Sequence, residues 1–107
     1  MELYYSDSGW KNLNGKWYFF KDGSMKSGWV QDGLAWYYLN DEGEMQNGWI
    51  KDGESEYFTN SRGIMQTGWI SDYGILYYAN KNGLIQKGKA IIGGKEYNFS
   101  KDGRLIL

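Results

Sequence analysis

Large aromatic side chains recur along the chain, and they are the residues most able to do chemistry here. The 107 residues include 6 Trp, 10 Tyr and 4 Phe. Rings grouped as a cage attract a soft cation through their π faces, above all a quaternary ammonium, which has no N–H group to satisfy. Flat rings also offer platforms on which sugars stack. The aromatic residues therefore predict a binding site for a methylated ammonium or a sugar.

The composition excludes most catalytic chemistry. The chain contains neither His, the commonest general base and metal ligand, nor Cys, the source of thiolate nucleophiles. Glu54 and Glu56 are paired carboxylates, but they lie on one short predicted hairpin without an evident cleft, which a glycosidase pair would need. We expect a protein that is not an enzyme, with no catalytic residues, metal or cofactor.

The charge and the distribution of apolar residues argue against two further classes of partner. The 12 basic and 13 acidic residues are scattered and give a formal charge of -1, which argues against nucleic-acid binding by phosphate neutralisation. No apolar run is long enough to span a bilayer, so we expect no membrane insertion. The first residues also lack the apolar region of a signal peptide.

A period of about 20 residues organises the chain. Gly-Trp pairs begin at Gly9, Gly28, Gly48 and Gly68, and Gly88-Lys89 takes the fifth place. This self-similarity predicts one array of five repeats, which occupy residues 9–27, 28–47, 48–67, 68–87 and 88–107. Residues 1–8, with Leu3-Tyr4-Tyr5, are predicted to form a truncated N-terminal strand.

Each repeat carries a central turn pair between two short apolar segments. Asn-Gly and Asp-Gly favour type I′ turns, in which both central residues have positive φ, so each repeat reads as a β-hairpin. A lone hairpin is marginal in water, which predicts that the repeats stack as an all-β hairpin solenoid. The predicted turn pairs are Asn14-Gly15, Asp32-Gly33, Asp52-Gly53, Tyr73-Gly74 and Gly93-Gly94.

The turns also predict which residues share a face, because side chains alternate along a strand. Trp10, Trp17 and Phe19 fall on one face of the first hairpin, and this face is the predicted ligand face in every repeat. The opposite face is predicted to be structural, and it carries Tyr18, Tyr37, Tyr57, Tyr77 and Tyr97 with Val30, Ile50, Ile70 and Ala90. The alternative is that all the rings simply form the core, since each buries about 150–250 Å².

Two segments carry a family resemblance. GWKNLNGKWYFFKDGSM, from Gly9 to Met25, and GWVQDGLAWYYLNDEGEM, from Gly28 to Met45, resemble the choline-binding, or cell-wall-binding, repeats of Gram-positive bacteria and their phages. The resemblance covers about residues 9–107. It implies a left-handed hairpin solenoid that holds choline between consecutive hairpins with three aromatic residues and a Met. It further implies a non-catalytic module that anchors a larger, secreted or cell-surface protein to choline-bearing teichoic acid.

The resemblance also implies the site residues. The expected choline-binding residues are Trp10, Trp17 and Tyr38 with Met25 in one pocket, Trp29, Trp36 and Phe58 with Met45 in the next, and Trp49 in the third repeat. Glu56, Leu76 and Glu96 replace the second-strand Trp in the later repeats, so their cages are expected to be weaker. Related repeats of clostridial toxins and glucan-binding proteins bind carbohydrate, which keeps a glycan ligand open. A self-associating spacer that forms a homodimer is the third alternative.

Overall fold

The computed structural model describes residues 8–107, and every regular element in this part of the chain is a β-strand. The predicted all-β class is therefore confirmed. The truncated strand predicted at Leu3-Tyr4-Tyr5 lies outside the described residues. Within residues 8–107 there is no helix that could cross a membrane.

Five antiparallel hairpins follow one another at the predicted interval, formed by the pairs β1-β2, β4-β5, β7-β8, β9-β10 and β11-β12. Three two-residue strands, β3, β6 and β13, each add a third strand to the preceding hairpin. The strand bounds are β1 Gly9–Leu13, β2 Lys16–Lys21, β3 Ser24–Met25, β4 Gly28–Asp32, β5 Ala35–Leu39, β6 Met45–Gln46, β7 Gly48–Asp52, β8 Ser55–Thr59, β9 Gly68–Asp72, β10 Ile75–Ala79, β11 Gly88–Ile92, β12 Lys95–Phe99 and β13 Leu105–Ile106.

The chain forms two compact units. Unit one comprises the described residues up to Gly48 together with Thr59–Met65, and unit two comprises Trp49–Phe58 and Gln66–Leu107. Unit one contains the sheets β1-β2-β3 and β4-β5-β6. Unit two contains the sheets β9-β10 and β11-β12-β13.

Three of the five turns lie where the sequence places them. In the first hairpin Leu13 pairs with Lys16, so Asn14 and Gly15 form the two-residue loop. Both have positive φ, 56° and 85°, as a type I′ turn requires. The fourth and fifth hairpins turn in the same way at Tyr73-Gly74 and Gly93-Gly94.

The predicted turns of the second and third hairpins are wrong by one residue. Asp32 pairs with Ala35, so the second loop is Gly33-Leu34 rather than Asp32-Gly33. The third lies between the ends of β7 and β8, at Gly53-Glu54. Gly33 and Gly53 both have φ of 64°, and a type II′ turn needs positive φ only at its first central residue. One glycine in that position therefore suffices.

This correction changes the pairing but not the faces. Trp29 lies opposite Tyr38 rather than Trp36, and Trp36 lies opposite Gln31. The partner of each residue moves by two positions along β5, and a shift of two keeps every side chain on its face of the sheet. Trp29, Trp36 and Tyr38 therefore still share one face, as predicted.

The most deeply buried residues stand at the end of the second long strand of each hairpin. This column, which the sequence analysis did not single out, is Phe20, Leu39 and Thr59 in unit one and Ala79 and Phe99 in unit two. All five lie on the face that was predicted to be structural or in its direct continuation.

The predicted structural column is buried only in part in both units, since Tyr57, Ala90 and Tyr97 of unit two are half-buried. Ile50, Ile70 and Tyr77 are buried, and Tyr77 packs in a cluster with Ile70 and Ile85. In unit one Tyr18 and Tyr37 are only half-buried. Tyr37 thus keeps part of its ring free for a second role.

The connections between hairpins are built on a side-chain cap. In unit one the Asn60 Oδ1 atom accepts hydrogen bonds from the backbone N–H groups of Arg62 and Ile64, at 2.9 and 3.0 Å. Gly63, in the same connection, has φ of 82°, and a Cβ atom there would lie 2.7 Å from the Met45 Sδ atom. The glycine is therefore required both for the turn and for the close approach of Met45.

Candidate functional site

Unit one contains an aromatic cavity of about 300 Å³, lined by Trp10, Trp17, Tyr37, Met45 and Arg62. Strands β1 and β2 supply the two indoles, β5 supplies the phenol ring and β6 supplies the thioether. Arg62 comes from the connection that follows β8. Three aromatic rings and one soft sulfur therefore line an open cavity that has room for a small organic cation.

The register of the first hairpin brings the two indoles to one face. Trp10 pairs with Phe19 and Asn12 pairs with Trp17, as the sequence predicts. The ring centroids of Trp10 and Phe19 lie 4.9 Å apart, and those of Trp10 and Tyr37 also lie 4.9 Å apart. Trp10 is thus held between its own hairpin and the next, and Trp17, which is 44% exposed, stands free on the other side of the cavity.

A hydrogen bond fixes the plane of the Trp10 indole. Its Nε1–H group donates to the Asp32 Oδ2 atom at 3.0 Å. In unit two the same arrangement recurs, with the Trp49 Nε1–H group donating to Asp72 Oδ2 at 2.9 Å. The aspartate that ends the first long strand of a hairpin therefore orients the indole of an earlier hairpin.

We expect the Asp32→Ala variant to bind an aromatic-cage ligand about threefold to tenfold more weakly, because the Trp10 indole loses its acceptor and with it a fixed orientation. Asp32→Asn keeps an acceptor oxygen and should stay close to the wild type. Quenching of tryptophan fluorescence by the ligand measures the dissociation constant of each variant. Equal losses in the two variants would show that the charge of Asp32, not its hydrogen bond, matters.

Of the four residues predicted for the first pocket, the structure places two in the cavity. Trp10 and Trp17 line it, together with Tyr37 and Met45. The Tyr38 ring packs against Trp29, its partner across the hairpin, with centroids 5.0 Å apart. Met25 stands over Gly43, where a Cβ atom would lie 2.6 Å from its Sδ atom.

The residues predicted for the second pocket are distributed differently. Met45 lines the first cavity, and Trp29 packs on Tyr38 within its own hairpin. Trp36 is more than one-third exposed, at 37%. Phe58 belongs to unit two, where its ring lies 4.9 Å from that of Trp49. The second pocket stays a prediction.

The residues of unit two that correspond to the cavity lining differ in two places from those of unit one. The ring centroids of Trp49 and Tyr77 lie 4.6 Å apart, close to the 4.9 Å between their counterparts in unit one, Trp10 and Tyr37. Glu56 stands where the second indole stood, and its Oε1 atom is bound by the Lys87 ammonium at 2.5 Å. Tyr77 and Ile85 belong to the buried cluster. The carboxylate of Glu56 is thus paired with a lysine.

A larger polar groove of about 710 Å³ adjoins the aromatic cavity in unit one. The two share the side chains of Trp17, Met45 and Arg62. The rest of the groove is lined by Gly15, Lys16, Asn40, Glu44, Gln46, Asn47 and Ser61. Amide, hydroxyl and charged groups therefore lie directly beside the aromatic surface of the cavity.

An ion pair lies in this groove. The Lys16 ammonium binds the Glu44 carboxylate, to which the Asn40 amide also donates at 3.3 Å. The hydrogen bond from Lys16 and then that from Asn40 hold the pKa of Glu44 below its ordinary value, and the same pair raises the pKa of Lys16. Glu44 therefore stays ionised and is neutralised by its partner.

Three residues of the site were missed by the sequence analysis. Tyr37 belongs to the tyrosine column that was read as structural. Asp32 was read as a turn residue, although it follows Trp10 by 22 residues much as Asp72 follows Trp49 by 23. Arg62 lies in a connection and carries no periodic signal at all.

Comparison with known proteins identifies the family of the chain from its sequence and finds solved structures with a similar fold. The profile of the cell wall binding repeat of the choline-binding type matches residues 8–25, 27–45, 47–65 and 67–85. No curated protein sequence matches the chain.

Solved structures from Streptococcus pneumoniae and its phage resemble the chain. Choline binding protein F, solved with a peptidoglycan analogue, is 39% identical over 92% of this chain and 34% of its own, with a TM-score of 0.88. The choline binding domain of Spr1274 is 42% identical over 76% of this chain and 96% of its own, with a TM-score of 0.66.

A multimodular endolysin supplies the third comparison. The pneumococcal cell wall endolysin from phage Cp-1, solved with choline, is 32% identical over 91% of this chain and 30% of its own, with a TM-score of 0.62. The predicted class of hairpin solenoid is confirmed by these folds. The chain spans about one-third of the length of the whole proteins that it resembles.

Proposed function

Because this chain belongs to the choline-binding family of cell wall binding repeats, we propose that the aromatic cavity of unit one binds the trimethylammonium group of choline. Trp10, Trp17 and Tyr37 supply the π faces, and Met45 supplies a polarisable wall. The observation that carries the proposal is that three rings from two successive hairpins line one cavity.

The energetics favour a quaternary ammonium over a primary one. Each ring contributes about 0.5–2 kcal/mol to a soft cation, so three rings give roughly 2–6 kcal/mol, which corresponds to a Kd near the millimolar range. A primary ammonium must leave N–H groups without acceptors in such a cage, a cost of about 1–3 kcal/mol for each group. Methylation removes that cost.

The weak affinity of one cavity agrees with an anchoring role. A polymer that displays choline repeatedly gains avidity when several modules bind it at once, through effective concentration. We propose that the chain is a non-catalytic part of a larger protein held at the cell wall by choline-bearing teichoic acid. A secreted or cell-surface location follows from that role.

Titration of the protein with choline tests the proposal. We expect tryptophan fluorescence to change with a Kd of about 1 mM, and 10 mM choline to raise the free energy of unfolding by about 1.4 kcal/mol, because the ligand binds only the folded state. Ethanolamine, which differs by its three methyl groups, is the matched control and should give little change. An equal response to both ligands, or to neither, would contradict a cage for methylated ammonium.

A sugar is the second candidate ligand, and the polar groove beside Trp17 is the observation that favours it. Amide and hydroxyl groups there can hydrogen-bond to sugar hydroxyls while the indole offers a stacking surface. Glucan oligomers should then perturb the fluorescence in the absence of choline. A response to glucan alone would replace choline as the primary ligand.

A further inference from the structure

Met45 supplies the sulfur in the wall of the aromatic cavity. The same side chain lines the adjoining groove and is half-buried. A thioether that borders an open space can be reached by a small solute, and peroxides convert an accessible methionine to its sulfoxide. One wall of the cavity is therefore open to chemical modification.

The side chain of Met45 lies flat on the backbone of Gly63. A Cβ atom at Gly63 would lie 2.7 Å from the Met45 Sδ atom, 3.0 Å from Cε and 3.2 Å from Cγ. The thioether therefore has backbone against one side, where close packing leaves no room for an added oxygen atom. Such an oxygen must point away from Gly63, or the side chain must leave its place. Either change alters the wall of the cavity.

Arg62 offers a hydrogen-bond donor beside this wall. It precedes Gly63 in the chain and lines the same cavity and the same groove as Met45. Its side chain makes no ion pair, hydrogen bond or ring contact in the part of the chain that the structure describes. A thioether is a weak acceptor for a guanidinium, whereas a sulfoxide oxygen is a strong one. Oxidation thus favours a guanidinium at the wall, where its charge repels a cationic ligand.

We propose that Met45 is a reversible oxidation site, and that the sulfoxide form of the cavity binds its ligand more weakly than the thioether form. The proposal rests on the proposed function of the cavity, and it adds a means of regulation. The thioether presents a soft, apolar surface to the methyl groups of the ligand, and the sulfoxide replaces that surface with a hydrated polar group. Because the sulfoxide can be reduced again, the modification acts as a switch.

The modification is a two-electron oxidation by a hydroperoxide. A lone pair of the sulfur attacks one peroxide oxygen, the S–O bond forms and the O–O bond breaks. The proton on the transferred oxygen passes to the leaving oxygen, so hydrogen peroxide becomes water and an organic hydroperoxide becomes an alcohol. The sulfur is oxidised and the peroxide is reduced, with no further reactant.

Met25 is a matched internal control for Met45. A Cβ atom at Gly43 would lie 2.6 Å from the Met25 Sδ atom, so this thioether also packs on a glycine. Met25 is 37% exposed, but the described residues that line the aromatic cavity do not include it. Oxidation of Met25 should therefore leave the affinity of the cavity unchanged.

Titration with choline before and after treatment with hydrogen peroxide tests the proposal. We expect the affinity of the oxidised wild type to fall by about twofold to tenfold, the ratio that corresponds to the loss of one contact between sulfur and an aromatic ring. The two methionine sulfoxide reductases, one for each epimer, should restore it. Peptide mass mapping measures the oxidation of each methionine and checks that the tryptophans are intact.

Three variants assign the effect to one sulfur atom. Met45→Leu keeps an apolar wall without a sulfur, so peroxide should not change its affinity for choline. Met25→Leu should lose as much affinity on oxidation as the wild type. Met45→Gln places a polar group in the wall and should bind choline about as weakly as the oxidised wild type, without any peroxide.

Failure of this proposal can be distinguished from failure of the proposed function. The proposal is wrong if the oxidised wild type binds choline as tightly as the untreated protein, or if peroxide weakens Met45→Leu as much as the wild type. It is also wrong if Met45 stays reduced under conditions that oxidise Met25. If the untreated wild type does not bind choline, the proposed function itself fails, and mass mapping alone then shows whether Met45 is oxidised reversibly.

Discussion

Replacement of Trp17 by alanine should lower the affinity for choline by about twofold to thirtyfold. The estimate is the contribution of one ring, about 0.5–2 kcal/mol, expressed as a ratio of constants. Trp17 is 44% exposed and is shared by the cavity and the groove. Because so much of the ring is already in water, the free energy of unfolding of the variant should lie within about 1 kcal/mol of that of the wild type.

Two variants control this prediction. Trp17→Phe keeps an aromatic face and should retain most of the affinity. Trp69→Ala removes an indole of nearly equal exposure, 43%, from unit two, and should leave the affinity for choline unchanged. Isothermal titration gives each constant without reliance on tryptophan emission. If Trp69→Ala weakens binding as much as Trp17→Ala, the cavity of unit one is not the site.

The hairpins could be predicted from the sequence because their determinants are local. Glycine in a two-residue loop sets the turn, and the alternation of side chains sets the faces, so Trp10, Trp17 and Phe19 were assigned correctly to one face. The turns at Gly33 and Gly53 were misplaced because an Asp-Gly pair fits two loops that differ by one residue. The choice between them depends on whether φ is positive at one central residue or at both.

The cavity itself could not be predicted because it depends on how one hairpin packs on the next. The sequence gives no information on whether Trp10 meets Tyr37 or Tyr38, which are neighbours on opposite faces of β5. Tyr38 is used within its own hairpin, against Trp29, and Tyr37 is therefore the ring available to Trp10. Packing between repeats, not pairing within them, selects the third ring.

Equivalent positions of the two units carry different side chains. In unit two Ile85 packs with Tyr77 in a buried cluster, and Lys87 holds the carboxylate that replaces the second indole. In unit one Met45 and Trp17 occupy the corresponding places, and Tyr37 is only half-buried. One repeated backbone thus carries a buried cluster in one unit and lines a cavity in the other.

Core and cavity should therefore be separable by mutation, and Leu39→Ala is the sharpest test. Leu39 has no exposed surface and ends β5, the strand that also carries Tyr37. Truncation of a fully buried leucine removes its transfer free energy and leaves a void, which together cost about 2–5 kcal/mol. We expect a loss of this size in the free energy of unfolding, measured by urea titration as a shift of the midpoint.

Leu34→Ala is the matched control because Leu34 is fully exposed, at 100%, in the turn of the same hairpin. It should change the free energy of unfolding by less than about 0.5 kcal/mol. Choline should stabilise Leu39→Ala and the wild type by the same increment, since the increment depends only on ligand concentration and the affinity of the folded state. A smaller increment in Leu39→Ala would mean that the burial of Leu39 holds the rings in place, and that core and cavity are one structure.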